Sequence, residues 1–186
     1  QILSHDVERI ERLITDYSQM LKDEVALSNE KMQIIDLKNI ISSVVDDFNN
    51  IYVEKRGIKI LLKLNNDINE FKILGIENRI EQIIANLLDN AISFSEDNKK
   101  VLVEIKKNED GKIILKVIDQ GKGFKEKKLN KIFDRFYSNR PDKFGKHSGL
   151  GLNIVKNLVD LHGGSITAAN NTHQSGAMVE IVFPKV

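Results

Sequence analysis

Apolar residues near the start of the chain recur at Leu3, Val7, Ile10, Ile14, Tyr17 and Leu21, a 4-3-4-3-4 spacing. That heptad seam predicts one helix from residue 2 to about residue 30. A second row, Leu13, Met20 and Leu27, widens the stripe as a four-helix bundle requires. A helix packed on its own domain would also carry a stripe, but the strict heptad and the very polar opposite side favour a bundle. A bundle helix without its partners implies association or exposed apolar surface.

After a polar break at Ser28-Asn-Glu-Lys31 the period changes. Asp36 can cap a helix running to about Lys55, with Leu37, Ile40, Ile41, Val44, Val45 and Phe48 on its apolar face and Gly57 as its stop. Ile58–Leu64 and Phe71–Leu74 read as strands, and Asn78–Ser95 as a helix. Val101–Lys107 and Lys112–Asp119 form a hairpin around Asn108-Glu-Asp-Gly111. A polar, glycine-punctuated stretch runs from Gln120 to Ser148; Leu150–His162 is a helix, and Ser165–Ala169 and Ala177–Phe183 are closing strands. Mixed helices and hairpins predict an α/β fold, one sheet with helices on one face.

Composition narrows the chemistry. The 186 residues contain no cysteine, which excludes disulfides, thiolate metal sites and cysteine nucleophiles. Lys and Arg total 28 against 27 Asp and Glu, so no global charge pulls the chain toward nucleic acid, and no nucleic-acid partner is expected. No apolar run approaches the ~18 residues of a membrane span. The first residue, Gln1, falls inside an amphipathic pattern, so the sequence reads as a piece of a longer protein, with any membrane span of the parent outside it.

Three segments carry candidate chemistry. On helix 78–95, Ile80, Ile83, Ile84, Leu87, Leu88, Ala91 and Ile92 fill one face, while Arg79, Gln82, Asn86, Asn90 and Ser93 line the opposite one. Asn within a helix costs about half a kcal/mol relative to Ala, and its amide oxygen can bind a hard cation without titrating. Taken alone, Asn-x-x-x-Asn is more often a solvated polar face. Asp119 ends an apolar strand and precedes Gln120-Gly-Lys-Gly123, where a carboxylate can accept from an amine and glycines let a ligand approach. Gly145-Lys-His-Ser-Gly-Leu-Gly-Leu152 opens a helix, and free N–H groups there suit phosphate. It matches neither a Walker loop nor a dinucleotide fingerprint.

In this order the three segments resemble the N, G1 and G2 boxes of the GHKL ATPase superfamily: Asn86-Leu-Leu-Asp-Asn90, Asp119-Gln-Gly-Lys-Gly123 and Gly149-Leu-Gly151. Ile132-Phe-Asp-Arg-Phe-Tyr137 resembles the F box of sensor histidine kinases; His162-Gly-Gly164, Ser175-Gly176 and the strand ending at Pro184 are similar to theirs as well. The run Asp6–Tyr17 resembles the second helix of the dimerisation and phosphoacceptor hairpin. Asn90-Ala-Ile-Ser-Phe-Ser95 and Arg140-Pro141 before His147-Ser-Gly-Leu-Gly151 bring the ChvG-type envelope sensors nearest.

The resemblance implies a Bergerat-type two-layer sandwich over residues 32–186, preceded by a bundle helix over 1–31. It implies ATP and Mg²⁺ as cofactors: Asn90 as the metal ligand, Asn86 supporting the phosphates, and Asp119 accepting from the adenine amino group. Gly121 and Gly123 would hinge a lid, with Phe133 and Phe136 anchoring it. Lys146, His147, Ser148, Gly149, Leu150, Gly151 and Leu152 would hold the phosphates, and Arg140 would contact the γ-phosphate within a lysine-rich lid. It further implies transfer of the γ-phosphate to a histidine on a hairpin helix outside the sequence and then to a response-regulator aspartate. The parent would be a homodimer joined through that hairpin, this part lying on the cytoplasmic side of an inner-membrane sensor.

Two departures stand out. Ser93 occupies a position where many members carry Lys or Arg, so another cation must meet the phosphate. His5 lacks the Thr-Pro context of a phosphoacceptor and stands only 81 residues before Asn86, so it reads as an exposed histidine and no self-labelling is expected. These departures motivate the alternative of a non-catalytic dimerisation or interaction module with a degenerate nucleotide site.

Overall fold

The computed structural model describes residues 30–65, 70–125, 128–134, 151–171 and 175–186. The expected helix over residues 2–30 lies outside them, apart from Glu30, which is not helical.

Helix α1 (Leu37–Arg56) starts where Asp36 can cap it: the carboxylate accepts from Lys38 N–H at 3.0 Å. It ends at Gly57, whose φ of 64° is the left-handed conformation that glycine adopts without a side-chain clash. Leu37, Ile40, Ile41 and Val45 on its inner face are buried. Helix α2 (Glu77–Phe94) buries seven aliphatic side chains, Ile80 through Ile92, as the pattern requires. Each of the Ile and Leu side chains contributes on the order of 1.5–3 kcal/mol of apolar burial, and Ala91 less. The last turn of α2 is fastened by Arg56 of α1, which donates to the carbonyls of Ile92 (2.8 Å) and Ser95 (2.7 Å) and pairs with Asp97. A guanidinium at a helix C-terminus satisfies orphan carbonyls and opposes the helix dipole.

The main sheet has the order β2 (Lys59–Asn65), β4 (Lys100–Lys107), β5 (Ile113–Ile118), β7 (Ala177–Phe183) and β6 (Ser165–Asn170). β2 and β4 run parallel and the other neighbours antiparallel, so the sheet is mixed. Alternation in β4, β5 and β7 puts Val101, Val103, Ile105, Ile113, Leu115, Val117, Val179, Ile181 and Phe183 into one core with the helices. The outer face pairs Lys63 with Glu104 and Lys116 with Glu180 across adjacent strands. At the sheet edge, the side-chain amide of Asn49 bonds both N–H and C=O of Ile60, which covers part of an open strand. Helix α3 (Gly151–Leu161) packs on α2 and β6.

A two-stranded antiparallel ribbon, β1 (Gln33–Asp36) with β3 (Lys72–Gly75), stands apart from the main sheet. The sequence pattern predicts one sheet and leaves residues 33–35 unassigned. Four residues adjoining a helix cap carry too little periodicity to announce a strand, and only the partner β3 makes it one. Phe71 and Ile73 are fully buried there.

Candidate functional site

The segment after β5 is built around Asp119, only 5% exposed. Its N–H donates to the Ala177 carbonyl at 3.0 Å, extending the β5–β7 ladder by one bond. Its Oδ1 accepts two amides, Gly121 N–H at 2.8 Å and Ala177 N–H at 3.1 Å. Both bonds fall on Oδ1, and Oδ2 takes neither. Burial pushes the carboxyl above the usual range, and the two amide bonds pull it partly back. The arrangement is a shielded acceptor whose orientation the backbone fixes, as recognition of an amine requires.

Glycine is obligatory around it. A Cβ on Gly121 would stand 2.3 Å from the Phe94 carbonyl, so this turn runs hard against the end of α2. A Cβ on Gly176, where φ is 137°, would stand 2.0 Å from the Asp119 carbonyl. The close approach of Gly121 brings the Asp119 turn to the helix that carries Asn86 and Asn90, and α3, with Gly151 and Leu152 at its start, packs on that same helix.

The polar side of α2 is not the solvated face its spacing suggests. Arg79 and Ser93 are buried, and Gln82, Asn86 and Asn90 are half-buried. Arg79 Nε pairs with Glu30 at 2.9 Å and Arg79 donates to Gln82, which ties the start of the helix to the preceding segment. The hydroxyl of Ser93 donates to the Asp89 carbonyl at 2.6 Å, so this residue serves the helix backbone. Asn86 and Asn90, four residues apart, offer neutral oxygens that suit a hard cation sharing its shell with phosphate and water. Among the described residues no cluster of three or more His, Cys, Asp or Glu could hold a metal.

Of the predicted site residues, Asn86, Asn90, Asp119, Gly121, Gly123, Phe133, Gly151 and Leu152 are described. Phe133 is buried at the end of a 3-10 turn (Leu129–Phe133), where Asn153 Nδ2 of α3 donates to its carbonyl at 2.9 Å. A Cβ on Gly151 would meet nothing within 4 Å among the described residues. Phe136, Arg140, Lys146, His147, Ser148, Gly149 and Leu150 lie outside the described residues.

Three contributors are invisible in the motifs, Arg56, Asn153 and Asn170, and a fourth, His162, lies in the His162-Gly-Gly164 motif, which does not tell its partners. His162 is buried: Nδ1 donates to the Leu158 carbonyl (2.6 Å) and Nε2 accepts from Ile76 N–H (3.1 Å), which fixes a neutral tautomer. It joins the end of α3 to the start of α2, whose cap residue Ile76 has no side-chain acceptor of its own. No sequence signal announces these partners, which lie 20 to 86 positions away.

Comparison with known proteins bears on the family and the fold. Sensor protein ChvG of Agrobacterium fabrum (strain C58) is 33% identical over 184 residues, covering 96% of this chain but 31% of its own length. The chain thus spans about a third of that relative. The catalytic domain of histidine kinase ThkA, solved free of nucleotide, superposes with a TM-score of 0.72 at 26% identity, covering 83% of this chain and 96% of that one. ThkA in complex with the response regulator protein TrrA gives a TM-score of 0.72 at 22% identity over 93% of this chain and 48% of that one, a likeness of fold. Residues 75–186 match the family described as histidine kinase-, DNA gyrase B-, and HSP90-like ATPase, from the start of α2 through the last strand, and the chain belongs to that family.

Proposed function

We propose that the chain is the ATP-binding catalytic part of a sensor histidine kinase. On this reading residues 32–186 bind Mg·ATP, and residues 1–31 are the second helix of a dimerisation hairpin. The observation that carries it is the buried, backbone-oriented carboxylate of Asp119, turned by Gly121 against the end of the Asn86–Asn90 helix. An adenine amino group is the donor this acceptor suits. Asn90 would hold Mg²⁺ with support from Asn86; the ion, when bound, neutralises phosphate charge. Gly151 opens α3, where free N–H groups at the positive end of the helix dipole would meet phosphate oxygens. Phe133, held by Asn153, anchors one end of the segment that would close over the phosphates, and Arg140 would reach the γ-phosphate from it.

Catalysis on this reading is positioning and charge neutralisation. The γ-phosphate would pass to a histidine on a hairpin helix of the parent and then to a response-regulator aspartate. The ThkA–TrrA complex supports such a regulator as partner. On this reading the parent would be a membrane-anchored homodimer with this part on its cytoplasmic side, and the sensor kinases among the relatives support a sensor role. No helix among the described residues is itself long and apolar enough to cross a membrane. The family does not favour the non-catalytic alternative.

The test is calorimetric titration with a non-hydrolysable ATP analogue and Mg²⁺. Saturable one-to-one binding is expected, together with no stable label on the chain from γ-labelled ATP. Absence of binding refutes the nucleotide reading, and label on His5 refutes the assignment of the acceptor to a missing helix.

A further inference from the structure

The chain leaving β5 must pass over the end of β7 to reach the far side of the sheet, because β7 lies between β5 and β6. Gly176 clears its path, with no Cβ to strike the Asp119 carbonyl. On the near side the crossing is held by the Asp119 carboxylate through Gly121 N–H. On the far side it is held by Asn170, the last residue of β6. Asn170 Oδ1 accepts from Phe124 N–H at 2.6 Å, and Asn170 Nδ2 donates to the Phe124 carbonyl at 3.0 Å.

One side-chain amide thus pairs both main-chain groups of a single residue, as an adjoining strand would, where the crossing has no regular structure. An Asn at a strand end ordinarily bonds its near neighbours in a turn; this one reaches across 46 positions. Gly123 has φ 72°, and a Cβ there would stand 2.8 Å from Asn170 Oδ1, so glycine alone permits the approach. The Phe124 side chain packs on the hydrophobic core and marks where the clasped segment is seated.

We infer that Asn170 is a positioning residue for nucleotide binding: it fixes the far end of the Gly121–Gly123 crossing, so that the wall beside Asp119 is formed before the ligand arrives. The inference rests on the nucleotide reading above. Asn170 acts through Phe124 and needs no contact with the ligand. Its two bonds lie at the exposed edge of the sheet, so affinity and stability are separable. Preorganisation of this kind acts by lowering the ordering cost on binding.

The experiment measures calorimetric Kd for the ATP analogue with Mg²⁺, thermal melting, and exchange of the Phe124 amide, in the unsubstituted chain and in Asn170→Ala, Asn170→Leu and Asn170→Ser. Asn170→Ala and Asn170→Leu are expected to weaken binding about fivefold or more, the size of losing a pair of hydrogen bonds. Their melting temperatures should stay within about 2 °C, and the Phe124 amide should exchange faster. Asn170→Ser, which keeps a short donor and acceptor, should fall between. Recovery of affinity in Asn170→Leu would assign the effect to bulk and overturn the inference, as would a loss of affinity matched by a fall in melting temperature. If the unsubstituted chain binds and Asn170→Ala binds equally well, the nucleotide reading stands and this inference is overturned. If the unsubstituted chain does not bind, both fall.

Discussion

Substituting Asp119 separates recognition from folding. Oδ1 of the carboxylate accepts from Gly121 and Ala177, and on the proposed reading Oδ2 would meet the adenine amino group. Asp119→Asn keeps an oxygen for the two amides and replaces the other with a donor. The fold should survive, and because burial disfavours the charged carboxylate, neutral asparagine should leave stability unchanged or raise it. Binding should suffer twice, by losing a charge-assisted hydrogen bond of about 1.5–3 kcal/mol and by facing one donor with another. The sum is about a hundredfold or greater loss of affinity. Asp119→Ala removes the acceptor as well and strands two buried amides, which costs a further ~1–3 kcal/mol each in stability. Calorimetry with the ATP analogue and urea unfolding read the two quantities separately. Asp119→Asn binding with full affinity, or unfolding as readily as Asp119→Ala, would refute the division of labour between the oxygens.

The remaining predictions concern glycine and histidine. Gly121→Ala should destabilise the chain by several kcal/mol, since the new methyl would overlap the backbone carbonyl of Phe94 and crowd Oδ1 of Asp119. Gly151→Ala should melt within about 2 °C of the unsubstituted chain, since a Cβ there meets no described residue within 4 Å, yet bind the analogue more weakly if phosphate approaches there; unchanged binding would remove Gly151 from the site. His162 is held neutral and its pKa is lowered by burial, so the stability it contributes is fully present above its ordinary value of 6.5 and is lost as pH falls through the depressed folded value. The urea midpoint of the unsubstituted chain should drop below about pH 6.5, whereas His162→Ala should start lower and lack that component; parallel curves would show that the imidazole does not titrate with folding.

The conservative lesson of this chain lies in which links are local. Helix α1 could be placed to within a residue, because a carboxylate cap, a period of 3.6 and a terminal glycine all act on their own neighbours. Helix α2, the hairpin of β4 and β5, α3 and the closing strands follow for the same reason. Asn86, Asn90, Asp119 and the glycines could be singled out because each breaks its local pattern: amides inside a helix, a carboxylate ending an apolar strand, glycines with nothing to turn. The ribbon strand β1 escaped because four residues have no period of their own. For the polar side of α2, spacing reports which residues share a face and not what covers it; Glu30 and the helix's own carbonyl at Asp89 decide that for Arg79 and Ser93.

The sequence by itself therefore determined the elements of the described residues other than β1 and the core-facing side of each, and it singled out the groups proposed to meet a nucleotide, because those depend on covalent neighbours and on the period of the backbone. Only the tertiary structure decided that Asp119 is buried with one oxygen committed to the backbone, that Gly121 lies against Phe94, and that Arg56, Asn153, Asn170 and His162 clasp segments far from them in the chain. A hydrogen bond between distant segments costs chain entropy until packing brings them together, so its partners carry no mark in the linear sequence and exist only once the whole sheet and its helices have formed.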